Sequence, residues 1–426
     1  MKLQPSASHS QAGFTLAEML VSLAITAFLL LGILAVFDFN SRVARAQTHV
    51  ADLQQSLRVA QDDMVRFVRM TGRGSLPLAD PALTPLPQGL ALGVRDNVAA
   101  NQFMLGSDET TRILPGTDVL TVRGVFGPLY QVNIAGAVTF DNPDNPTTGT
   151  LTITNPSPGG AAQDLDTLKQ AVDSETPEAI LLAAAVDDDI RLVVELVPGS
   201  VVTDNQAVIH FRVNGGPRNA DYLKLSTGGA FQRVMRNVAY AGILEEHRFY
   251  VREEHVIPGD RTSDLAPKLA RARFFPGTNT PYQTGEDNPD NALSARLDLA
   301  DNILDLQVAL GFDTSNGGAR RDDINTVGTD DEILETPDGL NDDWLYNNPA
   351  DKAEDLIWQG PPAPAIQYLR VSTLARSDRR DPQYQAPLLP TRLENRSYAT
   401  NDPENTYAER MFRWQSLRTV IDLRNL

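Results

Sequence analysis

The sequence predicts an α+β protein, with one long N-terminal helix laid on antiparallel β-sheet and large loop insertions in the sheet part. Three observations carry this. No charged residue occurs from Met19 to Phe37, and no proline from Phe14 to Met70. The apolar residues Val50, Leu53, Leu57, Ala60, Met64 and Phe67 then recur at alternating spacings of three and four, the period of one helix face. Beyond a proline-rich stretch, Leu76 to Pro87, the chain turns to short runs of β-formers separated by turn residues.

At a rise of about 1.5 Å per residue the uncharged run makes roughly 28 Å of helix, close to a bilayer's hydrocarbon thickness. It is therefore a membrane-spanning candidate. Glu18, at the start of the run, is an acid that needs either water at the headgroups or a partner. The stripe from Val50 to Phe67 covers fewer than three heptads, which predicts an amphipathic helix packed on its own domain and not a coiled coil. Gly72 and Gly74 are expected to end the helix.

Strand signals follow at Asp118 to Gly124, Leu129 to Ile134, Leu151 to Thr154, Ile190 to Val197, Ala207 to Val213 and Tyr222 to Leu225, and Ala161 to Val186 is expected to add a short helix. The pentapeptide Asp141 to Asn145 recurs at Asp287 to Asn291; nothing flanking it matches, so it reads as turn chemistry and not as a repeat. Near the C-terminus Leu417, Thr419, Ile421 and Leu423 alternate with Arg418, Val420, Asp422 and Arg424, which predicts a half-buried strand.

The composition, 426 residues with 42% hydrophobic and 22% charged, suits a globular protein with ample core. A net charge of −18 argues against nucleic-acid binding by the bulk of the surface, and none is expected. Without cysteine there is no disulfide and no thiolate site, so stability rests on packing. Phosphate loops, nucleophile elbows and His-Glu-x-x-His zinc motifs are absent from the sequence, no catalytic residue is assigned, and no cofactor is expected. His247 and His255 flank a strand-like Arg248 to Val251 beside Glu253 and Glu254; a metal there is weighed against a solvated strand edge, which is preferred. Asp322 to Asp355 holds twelve acids against one lysine, and Asp330, Asp331, Glu332 and Asp338 are conceivable calcium ligands, although a dedicated calcium-loop order is lacking and a solvated run is preferred. Ile366 to Leu426 carries ten arginines against seven acids and would complement that acidic stretch, in the same molecule or a neighbour.

The residues at the junction say more. Gly13-Phe14-Thr15-Leu16-Ala17-Glu18-Met19-Leu20-Val21, set directly against the apolar run, resembles the processing site of type IV prepilins and type II secretion pseudopilins. The resemblance implies cleavage by a prepilin peptidase between Gly13 and Phe14, N-methylation of Phe14, and a role for Glu18, fifth in the mature chain, in neutralising the Phe14 amine of a neighbouring subunit. Leu299 to Asp313, Ile366 to Ala375 and Met411 to Leu426 resemble successive strand segments of PilW-like minor pilins.

The implied layout is a leader at 1–13, a transmembrane part at 14–39, an amphipathic part at 40–72, and an extracytoplasmic β-rich domain at 73–426 with insertions around 138–296 and 314–362. Lys2 precedes the apolar run and Arg42 and Arg45 follow it, so charge bias does not set the orientation; the resemblance does. The implied function is a minor pilin of the inner membrane that joins or initiates a type IV pilus, with other pilins as partners through the N-terminal helix. Two alternatives stay open: a large pseudopilin of a type II secretion tip, and a secreted ligand- or cation-binding β-protein cut by an ordinary signal peptidase after Ala44-Arg45-Ala46.

Overall fold

The computed structural model describes residues 15–423, apart from 75, 77–90, 105–111, 133–135, 143, 158, 174–177, 185–189, 228–230, 256–264, 283–295, 314–343, 348–364, 379, 382–383, 390–391 and 399–408. The chain divides into two units, Met1–Asp52 and Leu53–Leu426.

Helix α1 spans Leu16–Arg69, as the proline-free, glycine-poor stretch requires. It stops where expected: Gly72 and Gly74 adopt φ of 77° and 100°, a left-handed geometry that costs an L side chain but not glycine. In the first unit its apolar side chains from Leu16 to Phe39 are exposed. In the second, Leu53, Leu57, Ala60, Met64 and Phe67 are all buried, joined by Gln61 and Val68. The stripe packs on its own domain, as its period predicted; Val50, in the first unit, is exposed.

The strands that follow are β1 (Leu92–Arg95), β2 (Val119–Gly124), β3 (Tyr130–Gln131), β4 (Val138–Phe140) and β5 (Thr148–Thr154). After helix α2 (Asp166–Asp173) come β6 (Ala179–Ala184), β7 (Arg191–Leu196), β8 (Val201–Val202) and β9 (Gln206–Arg212). Helices α3 (Asn219–Lys224) and α4 (Phe231–Asn237) lead into β10 (Val238–His255), β11 (Leu265–Phe274) and β12 (Arg296–Asp301). The rest is β13 (Ile303–Asp313), β14 (Trp344–Leu345), β15 (Ala365–Arg376), β16 (Arg392–Leu393), β17 (Arg396–Ser397) and β18 (Trp414–Asp422).

Among the described residues these strands form one 12-stranded sheet, ordered β1-β2-β10-β6-β7-β9-β5-β4 with β3, β8, β11 and β12 paired at its sides, one four-stranded sheet ordered β14-β13-β15-β18, and the two-stranded pair β16-β17. All pairings are antiparallel. Strand β10 organises the large sheet: its first half pairs β6 and β3, its second half β2 and β11. The stretch 138–296, expected as an insertion, thus supplies most strands of that sheet. Asn302, at φ 61°, separates β12 in the large sheet from β13 in the small one. The three segments compared with minor-pilin strands, in β13, β15 and β18, are neighbours in the four-stranded sheet.

One apolar core joins α1 from Leu53 onward to β1, β2, β10, β13, β15 and β18; a second lies among β4 to β9 with α2. Burying each large apolar side chain contributes about 1.5–3 kcal/mol, so the helix face is held chiefly by its own stripe.

One strand expectation needs correction. Tyr222 to Leu225 lies in and just after α3, not in a strand: helical spacing puts both Tyr222 and Leu225, 1% and 5% exposed, into one core, whereas neighbours three apart in a strand face opposite ways. The short helix expected within Ala161 to Val186 is α2, and the wholly buried strand β6 follows it in the same stretch. At the Asp141 turn, the carboxylate accepts the backbone N–H groups of Asn142, Thr147 and Thr148 at 2.9, 2.9 and 3.1 Å, which is the turn chemistry expected there. The second copy of that pentapeptide lies outside the described residues.

Candidate functional site

The start of α1 is built from two side chains that cap each other. The backbone N–H and the hydroxyl of Thr15 each donate to Glu18 Oε2 at 2.9 Å, and the Glu18 N–H donates to Thr15 Oγ1 at 3.2 Å. This is a capping box, in which an N-cap hydroxyl and an acid three residues on satisfy each other's free N–H groups. Glu18 is thus partnered within its own chain, near the helix N-terminus whose dipole favours negative charge. The Thr-x-x-Glu spacing was in plain view in the sequence, yet the acid was read there only as a membrane-interface or intersubunit charge. Gly13 and Phe14 lie outside the described residues.

Along the apolar stretch, the few hydroxyls turn back on the helix. Ser22 donates to the Met19 carbonyl at 3.0 Å and Thr26 to the Ser22 carbonyl at 2.8 Å. Such internal satisfaction is what a hydrocarbon solvent demands, since water is not there to supply a partner. The window of this helix that is long and apolar enough to cross a membrane buries none of its residues. Ala44 to Ala46, the alternative cleavage site, lies within the helix.

At the other end of α1 the anchoring is polar as well as apolar. Gln61, 3% exposed, donates to the Leu417 carbonyl at 2.8 Å and to Thr373 Oγ1 at 3.1 Å, and accepts from the Thr419 hydroxyl. Asp63 accepts from Arg271 Nη1 at 2.8 Å, and the same guanidinium lies 4.3 Å from the Phe67 ring centroid. Phe67 meets His247 edge-on at 4.6 Å and Phe126 at 4.8 Å. Gln61 falls outside the three-four stripe, so the sequence carried no signal for it.

His247 also corrects an expectation. It is 5% exposed, its Nε2 is 2.8 Å from Glu245 Oε2, and it sits in the centre of a sheet, not on a solvated edge. Burial first, opposed by Glu245 and reinforced by Arg271 and Arg273, holds its pKa below the ordinary histidine value. His255 ends the same strand eight residues later, roughly 26 Å away at the usual strand rise, so the two cannot share a metal. Glu254 pairs with Arg252 and Lys268 at 2.9 and 3.0 Å. Asp330, Asp331, Glu332 and Asp338 lie outside the described residues.

The arginine-rich C-terminal stretch finds partners in its own fold. Arg370 and Arg418 bind Glu394, Arg396 binds Asp305, and Arg413 binds Asp381.

A capped, unburied apolar helix directly after Gly13-Phe14 is the arrangement in which a family comparison decides the reading. The model of the prokaryotic N-terminal methylation motif matches residues 8–34. The chain carries a prepilin-type N-terminus. That motif supports a type IV pilin-like or pseudopilin protein, and α1, long and apolar enough to cross a membrane, is consistent with a membrane-anchored one. Neither a curated protein nor a solved structure matches the chain.

Proposed function

We propose that this chain is a minor pilin of the PilW-like kind, cleaved by prepilin peptidase after Gly13, N-methylated at Phe14, and held in the inner membrane by α1 until it enters or initiates a type IV pilus. The observation that carries the reading is the methylation motif at 8–34 set against a helix whose apolar side chains from Leu16 to Phe39 are exposed among the described residues. The 354 residues from 73 to 426 make a head too bulky for every position of a shaft, which supports a tip or initiation role. Peptidase and other pilins are the partners this implies, the latter through the exposed face of α1.

Mass spectrometry of the chain purified from its host membranes tests the proposal. The expected mature terminus is a methylated Phe14. A terminus at Gln47 would replace the pilin reading with that of an ordinary secreted protein.

A further inference from the structure

The small sheet ends in a long open edge that the pilin reading does not use. Strand β18 stands last in the order β14-β13-β15-β18 and pairs β15 alone, over nine residues and without a register shift. Two bonds just beyond its ends fix the hydrogen-bond phase: the Ser377 N–H donates to the Arg413 carbonyl at 2.7 Å and the Leu423 N–H to the Gln367 carbonyl at 3.0 Å. In an antiparallel pair, residues that exchange bonds with the partner alternate with residues whose backbone groups face away. The backbone groups of Gln415, Leu417, Thr419 and Ile421 therefore point at β15, and those of Ser416, Arg418 and Val420 point outward. All three outward residues are exposed, and among the described residues their backbone N–H and carbonyl groups have no partner.

Such an edge is a template for a further strand, and folded proteins blunt it with short edge strands, prolines, bulges or charges. Strand β14, on the other side of the same sheet, is two residues long. Strand β18 contains neither proline nor glycine. Its outward charge, Arg418, is drawn back over β15: Nε lies 3.0 Å from Glu394 Oε1, which also accepts the Ser372 hydroxyl at 2.5 Å. Val420, the next outward residue along the strand, is 44% exposed.

We propose that β18 is a docking edge, and that its occupant is an extended segment of a different protein chain, added as a further strand with apolar side chains toward α1 and an acid beside Arg418. The side chains of Leu417 and Thr419 lie on the α1 face, where Gln61 bonds both residues, and are only half-buried, so apolar residues added there would extend the core. On the other face Glu394 is shared by Arg370 and Arg418, two guanidiniums on one carboxylate, which leaves a positive charge at the edge for an acid to meet. Asp422 lies on that face too, but four residues along, roughly 13 Å at the usual strand rise. A second copy of β18 does not fit. Two such edges pair antiparallel about a two-fold axis normal to the sheet, which turns α1 of one copy end for end, and one bilayer cannot then take both helices from the same side. That exclusion rests on the proposed anchor; the edge and its chemistry do not.

Thr419→Pro and Val420→Pro separate the two sides of the strand, since the first removes an N–H that faces β15 and the second one that faces outward. In denaturant melts of the full chain in detergent, Thr419→Pro should be destabilised and Val420→Pro should resemble the wild type; the opposite order would overturn the edge assignment. Docking is read with a synthetic peptide of alternating valine and glutamate, about nine residues long to match β18, by residue-resolved hydrogen–deuterium exchange of the full chain. Excess peptide is expected to slow the amides of Ser416, Arg418 and Val420 by about tenfold or more, and a peptide of alternating valine and lysine to be about tenfold less effective. Val420→Pro should abolish the slowing at Ser416 and Arg418. Arg418→Gln should keep the slowing but erase the preference between the peptides, and serves if Val420→Pro does not fold. No slowing, equal slowing of the wild type by both peptides, or slowing retained in Val420→Pro would overturn the proposal, as would a dimer in sedimentation of the chain alone that Val420→Pro dissolves. A mature terminus other than Phe14 would defeat the pilin reading and leave the peptide result standing.

Discussion

The two parts of α1 are the same secondary structure written for two solvents. From Leu16 to Phe39 the large side chains are exposed all round, and even the hydroxyls of Ser22 and Thr26 are turned onto the helix backbone. From Leu53 onward one face is buried in protein, and its polar member, Gln61, is satisfied by strands β15 and β18. The comparison teaches that helix formation is indifferent to the medium, while side-chain placement is not. A helix in lipid satisfies its backbone internally and can be apolar on every side, whereas a helix on a soluble domain confines apolar residues to one stripe.

Substitutions can break this comparison at either end. The largest effect on folding is expected at Met64, which is 0% exposed in the core: Met64→Ala should lower the domain's unfolding free energy by about 2–5 kcal/mol, measured by denaturant melts of the chain in detergent. Leu30→Ala, an equal truncation in the exposed part, should leave the same melt unchanged to within about 0.5 kcal/mol. Equal losses at both positions would mean that the two parts do not differ in their surroundings.

Gln61→Leu comes next. It keeps an apolar fit but removes the acceptor of the Thr419 hydroxyl and the amide's bonds to the Leu417 carbonyl and Thr373 Oγ1, which keep their own 3.4 Å bond to each other, so a loss of about 1–3 kcal/mol is expected in the same melt. A neutral result would show that packing alone docks the helix.

His247 should give a smaller, pH-dependent effect under the end of α1. Its folded-state pKa is depressed, so the fold prefers the neutral ring; the stability it contributes is present above the unfolded value of about 6.5 and is lost as pH falls. His247→Phe should flatten the acid side of a plot of melting temperature against pH, and an unchanged slope would assign the acid response elsewhere. The smallest folding effect is expected of Glu18→Ala, whose carboxylate caps only the exposed end of the helix. That variant should melt like the wild type and remain in the membrane, yet be poorly incorporated into filaments if Glu18 serves a neighbour's Phe14 amine; normal incorporation in a host lacking the wild-type copy would remove that role.

Much of the fold was legible because it depends on short-range periodicity. The apolar run, the three-four stripe, the glycine stop and the two-residue alternation of β18 are each a property of adjacent positions, and each reappears at the expected residues save for Val50, the exposed first member of the stripe. Strand β10 was legible only at Arg248 to Val251. Its interior carries Glu245, Glu246, Arg248 and Arg252, charges that break any apolar pattern. Burial alone would raise the Glu246 carboxyl, but Arg123 and Arg248, with its Nε at 2.7 Å, hold it below its usual value. Those compensating charges come from β2 and from two positions along β10 itself, so the strand is stable only once the sheet has brought them together.

By itself, then, the sequence determined a helix apolar enough for a bilayer, the prepilin-type junction in front of it, and the face with which the helix would meet a domain, because each is set by neighbours along the chain. Only the tertiary structure decided that a strand full of charge lies at the centre of the large sheet and that Gln61 anchors the helix. Those outcomes depend on residues far apart in sequence, where the energy of a buried polar group is fixed by the partner folding places beside it and not by the residue type alone.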